Sequence, residues 1–235
     1  MIQPVRIAFY DFDGTLVSSN VVTRYAFLVR KLPQRARALM KYSKLLASVP
    51  YYLGLDFYSR RLFNEVFFRA YRGMKQQWLE PMAGALFEQM IRPSIHPGSM
   101  KLVERDREQG CHLVLVSGEL DIALKPVIRY FGFDELISNS LIFEDGVATG
   151  EVKLPLIAGR EKVTLMMEKC RTLGAQMADA RAYSDSFSDV PMLEAVGHPA
   201  AVNPDRRLLR VARERGWPVL NLKANNGEGE NVITG

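Results

Sequence analysis

A short run of β-branched and aromatic residues, 5–10, ends abruptly in Asp11-Phe12-Asp13-Gly14-Thr15. The run predicts a buried strand, and the Asp/Gly/Thr cluster predicts a loop at its carboxyl end. The chain does not then turn back as a hairpin. From about residue 20 to 92 the pattern becomes helical and basic, punctuated at Pro33, Pro50, Gly54, Gly73 and Pro81. About four or five helices are expected there, with residues 93–98 as the linker back.

Beyond residue 98, helical and apolar stretches alternate. Helices are expected over 99–109, 119–131, 160–173, 191–195 and 204–215. Strands are expected over 112–116, 135–138, 182–184, 199–202 and 218–220. Asp145-Gly146 marks a tight hairpin within 141–152. Such alternation predicts an α/β fold with a doubly wound parallel sheet, interrupted after its first strand by an α-helical insert. The expected division is a core of residues 1–17 and 101–222, a helical cap of 18–100, and a disordered tail of 223–235.

Formal net charge is +5 and the sequence pI is near 9.2, which by itself points to a polyanionic partner. The excess is local, however. Residues 20–98 carry 13 Lys/Arg against 4 Asp/Glu, leaving 18 against 22 elsewhere. Cys111 and Cys170 stand far apart with no C-x-x-C, and His112 has no further Cys or His at ligand spacing, so neither a disulfide framework nor a zinc site is expected. The longest stretch without charge, 45–55, is interrupted by Pro50 and Gly54 and is half the length of a membrane span, about 20 residues. A cytoplasmic location is expected, with the basic insert allowing peripheral contact with membrane.

In an open parallel sheet, ligands bind beyond the carboxyl ends of the strands. Asp11/Asp13/Thr15, Ser117/Gly118 and Asp185/Ser186/Asp189 all fall at such ends, and Lys162 opens a predicted helix. Crowded carboxylates at Asp11, Asp185 and Asp189 invite a divalent cation, and a hard cation with oxygen ligands and phosphate is usually Mg²⁺. An ionised Asp11 can attack phosphorus and form an aspartyl phosphate. Asp13, two residues on, can protonate the leaving oxygen and later deprotonate water. Ser117, the Gly118 N–H and Lys162 are placed to hold phosphoryl oxygens, with Thr15 and Ser186 beside them as further substrate contacts.

On these residues the chain resembles the haloacid dehalogenase superfamily of aspartate-nucleophile phosphatases, over residues 5–221. Asp-Phe-Asp-Gly-Thr-Leu resembles its first motif, Val-Ser-Gly its second, Gly-Arg-Glu-Lys its third and Tyr-Ser-Asp-Ser-Phe-Ser-Asp its fourth. The insert between the first two motifs resembles the helical-cap branch that includes phosphoserine phosphatase. The resemblance implies a Rossmann-like core, Asp11 as nucleophile, Asp13 as acid/base, and Mg²⁺ on Asp11, Asp185 and the Asp13 backbone carbonyl, with Asp189 acting indirectly. Family dehalogenases and P-type pumps lack an Asp at the position of Asp13, which points to phosphatase or mutase chemistry. Ser184 replaces a frequent Gly. For the third-motif lysine, Lys162 is preferred to Lys153 because it follows the glycine and opens a helix.

Phosphoserine phosphatase proper places an acidic residue soon after the first motif to bind the substrate's ammonium group. Here residues 17–55 contain no Asp or Glu and seven Lys/Arg, with Ser18, Ser19 and Asn20 at the hinge. A small anionic phosphorylated substrate is expected rather than phosphoserine, and no nucleic acid. Arg37, Lys41 and Lys44 form one helical stripe beside the apolar Leu39, Tyr42, Leu46 and Val49. That pattern fits a solvated face, steering of an anionic substrate, or contact with an anionic bilayer and its lipid phosphates. A phosphotransferase and a non-catalytic phosphate-binding protein are the rival activities. His96, His112 and His198 are expected to be structural, and Glu119 to cap a helix or touch substrate.

Overall fold

The computed structural model describes residues 5–223. Its main sheet has six parallel strands in the order β3-β2-β1-β6-β7-β8. These are β1 (Arg6–Tyr10), β2 (Cys111–Leu120), β3 (Glu135–Asn139), β6 (Arg181–Ser184), β7 (His198–Val202) and β8 (Val219–Leu220). A separate antiparallel hairpin joins β4 (Leu141–Glu144) to β5 (Val147–Val152). The tail's residues 224–235 lie outside the described residues.

Period-two alternation explains why β1 is central. Ile7 and Phe9 face one hydrophobic cluster, Ala8 and Tyr10 the other, and all four are fully buried. The first cluster is completed by α7 (Arg160–Leu173), α8 (Val190–Glu194) and α9 (Arg206–Arg215), through Met166, Leu193 and Leu208. The second holds α5 (Ser99–Glu108) and α6 (Asp121–Phe131), through Val103 and Leu124, and runs on into the insert. The sheet is therefore doubly wound, as the alternation predicts.

The insert comprises α1 (Val21–Arg30), α2 (Arg35–Tyr58), α3 (Arg60–Phe68) and α4 (Gln76–Leu86), followed by shorter turns to Ser94. Pro33 separates α1 from α2 as expected, but Pro50 and Gly54 do not break α2, which runs 24 residues. Pro50 removes one backbone hydrogen bond. Leu45, buried before it, and Tyr52, packed on Phe63 and Phe67 after it, hold the helix on both sides. Strand β2 runs to Leu120, so α6 starts two residues later than the pattern suggests.

Asp145 and Gly146 both have positive φ, 48° and 72°, the geometry of the tight hairpin turn read from their sequence. This hairpin bonds to the insert instead of extending the sheet. Gly73 N donates to Ala148 O at 2.8 Å, and Ala148 N donates to Met74 O at 2.8 Å. The hairpin thus ties insert to core, and the two linkers are joined where Ser18 N donates to Ser94 O at 2.8 Å.

Candidate active site

Asp11 continues the β1 ladder, its N–H donating to Tyr183 O at 2.9 Å, before the chain turns over Asp13–Val17. Gly14 sits in that turn at φ +81°, and a Cβ there would lie 2.0 Å from Asp185 Oδ2. Only glycine lets the first loop approach the fourth this closely. Helix α7 delivers Lys162 to the same point: its Nζ donates to Asp11 Oδ1 at 2.7 Å and to Asp189 Oδ2 at 2.8 Å. Ser184 Oγ also donates to Asp189 Oδ2, at 2.8 Å. The expected alternative, Lys153, is exposed and lies outside the cavity.

The cavity, about 40 Å³, is lined by Asp11, Asp13, Ser117, Gly118, Lys162 and Ser186 from the core and closed by Arg60 and Asn64 of α3. One water takes roughly 10–15 Å³ of such space, so the cavity suits a group of phosphoryl size. Ser117 Oγ accepts from Glu119 N at 3.1 Å, which leaves its hydroxyl proton free to donate. A Cβ on Gly118 would meet Asn64 Nδ2 at 2.7 Å, so glycine here admits α3 to the site. Ser186 spends its oxygen on the turn that follows, accepting from Ser188 N at 3.3 Å.

Electrostatically the cluster is short of positive charge. Burial raises Asp11 to about 6; Lys162 works against the shift, and Asp189 and Asp13 add to it. Burial, then Asp11 and Asp189, holds Asp185 well above the usual carboxylate range. Burial opposes the Lys162 ammonium, but Asp11 and Asp189 outweigh it and raise its pKa. Thr15 Oγ1 lies 3.2 Å from both Asp11 Oδ2 and Asp185 Oδ1, and one hydroxyl proton cannot serve both. Two facing carboxylates without enough donors are the donor chemistry a hard divalent cation satisfies. Among the described residues, no three His, Cys, Asp or Glu side chains converge as metal ligands. The fit therefore rests on two carboxylates plus backbone oxygen. Asp189 is already occupied by Lys162 and Ser184.

Some residues near the site were not singled out by the sequence reading. Arg24 is 1% exposed and joins Asp13 to Glu119. Its signal is a lone arginine on the apolar stripe Val21–Tyr25–Leu28 of α1. Arg60 faces Asp13, Asp189 and Asp11 closely enough that they raise its pKa, after Asp56 and against burial. Its position next to Arg61 in a basic insert carried no signal. Glu119 lies within β2 and does not cap α6, which has no side-chain cap; its oxygens accept from Arg24 Nε at 2.5 Å and Leu120 N at 2.8 Å.

The stripe Arg37–Lys41–Lys44 requires correction. Arg37 Nη2 donates to Gly73 O at 2.7 Å, and Lys41 Nζ donates to Ala70 O at 2.6 Å and Arg72 O at 3.2 Å. Both bind carbonyls freed where the helical chain ends, a favourable place for cations. Lys44 alone of the three has no hydrogen-bond or ion-pair partner among the described residues. His96 Nε2 lies 3.3 Å from Gly14 O, and His112 Nε2 lies 3.0 Å from Glu135 Oε1.

The haloacid dehalogenase-like hydrolase family model matches residues 8–194. A probable phosphatase of Mycobacterium tuberculosis is 31% identical over 217 residues, covering 92% of this chain and 75% of that protein. A Bordetella pertussis structure of unknown function superposes with TM-score 0.79 at 26% identity, over 94% of this chain and all of that one. Phosphoserine phosphatase in its apo form shares the fold, with TM-score 0.69 at 17% identity, over 94% of this chain and 95% of that one. The chain belongs to the haloacid dehalogenase-like hydrolases, as a phosphatase of the branch that carries a helical cap after its first strand.

Proposed function

We propose that this phosphatase hydrolyses small anionic phosphomonoesters through an Asp11 aspartyl phosphate, with Mg²⁺ as cofactor. The observation that carries the reading is Lys162 bridging Asp11 and Asp189 at the carboxyl end of the sheet, opposite Ser117 and Gly118. Asp11, Asp185 and the Asp13 carbonyl would hold the cation, with Asp189 acting through Lys162 and Ser184. When bound, it supplies positive charge that offsets repulsion between Asp11 and the substrate phosphate.

In the first step an Asp11 carboxylate oxygen bonds to phosphorus as the ester P–O bond breaks. Asp13 gives its proton to the departing oxygen. In the second, Asp13 takes a proton from water, whose oxygen attacks phosphorus and releases Asp11 and inorganic phosphate. Lys162, the Ser117 hydroxyl and the Gly118 N–H hold the phosphoryl oxygens throughout, with Thr15 and Ser186 at the margin. Arg60, together with the acid-free run 17–55, favours a leaving group bearing negative charge and disfavours the ammonium of phosphoserine.

Phosphate release from a panel of phosphomonoesters is expected to need Mg²⁺, to be abolished by chelation and to vanish in Asp11→Asn. Undiminished turnover in that variant overturns the mechanism. Phosphoryl transfer to added alcohol in preference to water would identify a phosphotransferase, and phosphate binding without turnover a binding protein.

A second reading concerns where the substrate is met. Leu39, Leu53, Phe57 and Tyr58 on α2 are 65–83% exposed, on a helix with no acid before Asp56. No helix among the described residues is long and apolar enough to cross a membrane. This face suits peripheral contact of a cytoplasmic enzyme with an anionic bilayer, where a lipid phosphate would be the substrate. Sedimentation with phosphatidylglycerol vesicles, lost on replacing Leu53 and Phe57 by Ser, supports it. No binding at low salt removes it.

A further inference from the structure

Arg24 is a cap residue whose guanidinium lies in the junction with the core. It is 1% exposed and over the Phe12 ring, with 5.3 Å from Cζ to the ring centroid. Nη1 donates to Ser19 Oγ at 3.1 Å, and Ser94 Oγ donates to that same Ser19 oxygen at 2.8 Å. Both hinge segments thus meet beside it. Nε donates to Glu119 Oε2 at 2.5 Å, and Nη2 donates to Asp13 Oδ1. Among the described residues, no other side chain hydrogen-bonds the Asp13 carboxylate.

Glu119 is 2% exposed and fixed by the Leu120 N–H at the end of β2. A buried carboxylate this close to the phosphate-holding Ser117 and Gly118 is costly unless paired, and Arg24 is its pair. Burial raises Glu119, with Arg24 opposing. The guanidinium fork is planar and rigid, so one edge held by Glu119 fixes where the other points.

We propose that Arg24 is a positioning residue for Asp13: anchored by Glu119, it orients the carboxylate toward the leaving oxygen and makes that orientation depend on the seating of the cap. The inference rests on the reading of Asp13 as acid/base. A general acid works only within about 2.6–3.2 Å of the oxygen it protonates, so a carboxyl group free to rotate is a poor one.

The test compares an alkyl phosphate, whose leaving oxygen needs a proton, with p-nitrophenyl phosphate, which leaves without one. Values of kcat/KM report the step in which the ester bond breaks. Asp13→Asn is the reference and is expected to lose far more with the alkyl ester. Removing Arg24 alone strands Glu119, so the working variant is the apolar pair Arg24→Met/Glu119→Leu, which leaves no buried unpaired charge.

Its alkyl-to-aryl ratio is expected to fall by about 10²-fold or more, within the range of general acid catalysis. Adding Asp13→Asn should then change the ratio little. Arg24→Lys, with Glu119 intact, keeps a cation in the site and should recover part of the ratio; it also serves if the double variant is unstable. Equal losses on both esters, or an undiminished ratio in either Arg24 variant, overturn the inference. If Asp13→Asn itself does not discriminate the esters, the acid/base reading fails first and takes the inference with it.

Discussion

Lys162 buries its ammonium group and Lys41 half-buries its own, and their surroundings push the two in opposite directions. In the core, Lys162 meets two carboxylates, and their attraction exceeds the cost of burial. In the insert, Lys41 donates to the Ala70 and Arg72 carbonyls and, among the described residues, pairs with no carboxylate. Burial, with Arg37 and Lys44 nearby, lowers it to about 8. One half of the molecule holds opposite charges ready for a cation and a phosphoryl group. Around Lys41 the insert sets like charges side by side, although elsewhere it pairs Arg60 with Asp56, Arg69 with Glu65 and Arg92 with Glu88. Under the proposed function the core fixes the reacting phosphate, and the Lys41 stripe is where an anionic group would be felt.

The most severe way to break this contrast is to remove the nucleophile. Asp11→Asn should lower kcat by ~10⁴-fold or more, the scale seen when a nucleophilic unit is dismantled. The same change should stabilise the metal-free protein. Asp11 is raised to about 6, so its favourable contribution is complete below the ordinary value near 3.8 and is lost as pH rises through about 6. In EDTA, the variant's melting temperature should exceed the parent's at pH 7, and the gap should close toward pH 4. A variant less stable at pH 7 would show that the Lys162 pair outweighs the burial of charge at this site.

Next in size is Lys162→Met. Losing one donor to a transition-state oxyanion costs about 10²–10³ in kcat. Here it also strands Asp11 and Asp189, so a lower melting temperature should accompany the lost rate. Smaller again is Arg60→Met at the mouth of the cavity. With an anionic leaving group, KM should rise by about 10- to 100-fold, the range of a hydrogen bond to a charged group, and much less with a neutral one. Equal effects on both esters would deny Arg60 any part in selecting charge.

Much of this is legible in the sequence alone. Period-two burial in β1 and the Asp145-Gly146 turn are local signals that sit where their patterns place them, and Asp11, Ser117, Lys162 and Asp189 line one cavity, although β2 continues through Ser117 and Gly118 to Leu120. What stayed hidden depends on contacts far apart in sequence. Arg24 reads as one more basic residue until Glu119, 95 positions on, is beside it. Arg37 and Lys41 read as a solvated stripe because nothing local says that the carbonyls of residues 70–73 end at their tips. Pro50 reads as a break because the rings that hold α2 beyond it come from α3. Helical periodicity shows which face a residue takes, not what the chain will later place against it.

The smallest effect tests the cap's half of the contrast most directly. Burial is the main reason Lys41 titrates low, and repulsion from Arg37 and Lys44 adds to it. Lys44→Gln removes one of these cations without touching the carbonyls that Lys41 holds, so the Lys41 pKa should move up from about 8. An NMR titration of the Lys41 side chain would follow the change. Stability should respond with a definite sign. A lysine lowered to about 8 takes up fewer protons than the unfolded chain between pH 8 and 10.5, so in the parent protein stability rises across that interval. In Lys44→Gln that rise should be shallower. Anionic vesicles or a bound anionic substrate should have the same effect on Lys41 in the parent, by setting a negative charge beside it. A Lys41 that titrates unchanged in the variant, and unchanged with anion present, would reduce the cap's charge to a solvated face. Substrate selection would then rest on Arg60 alone.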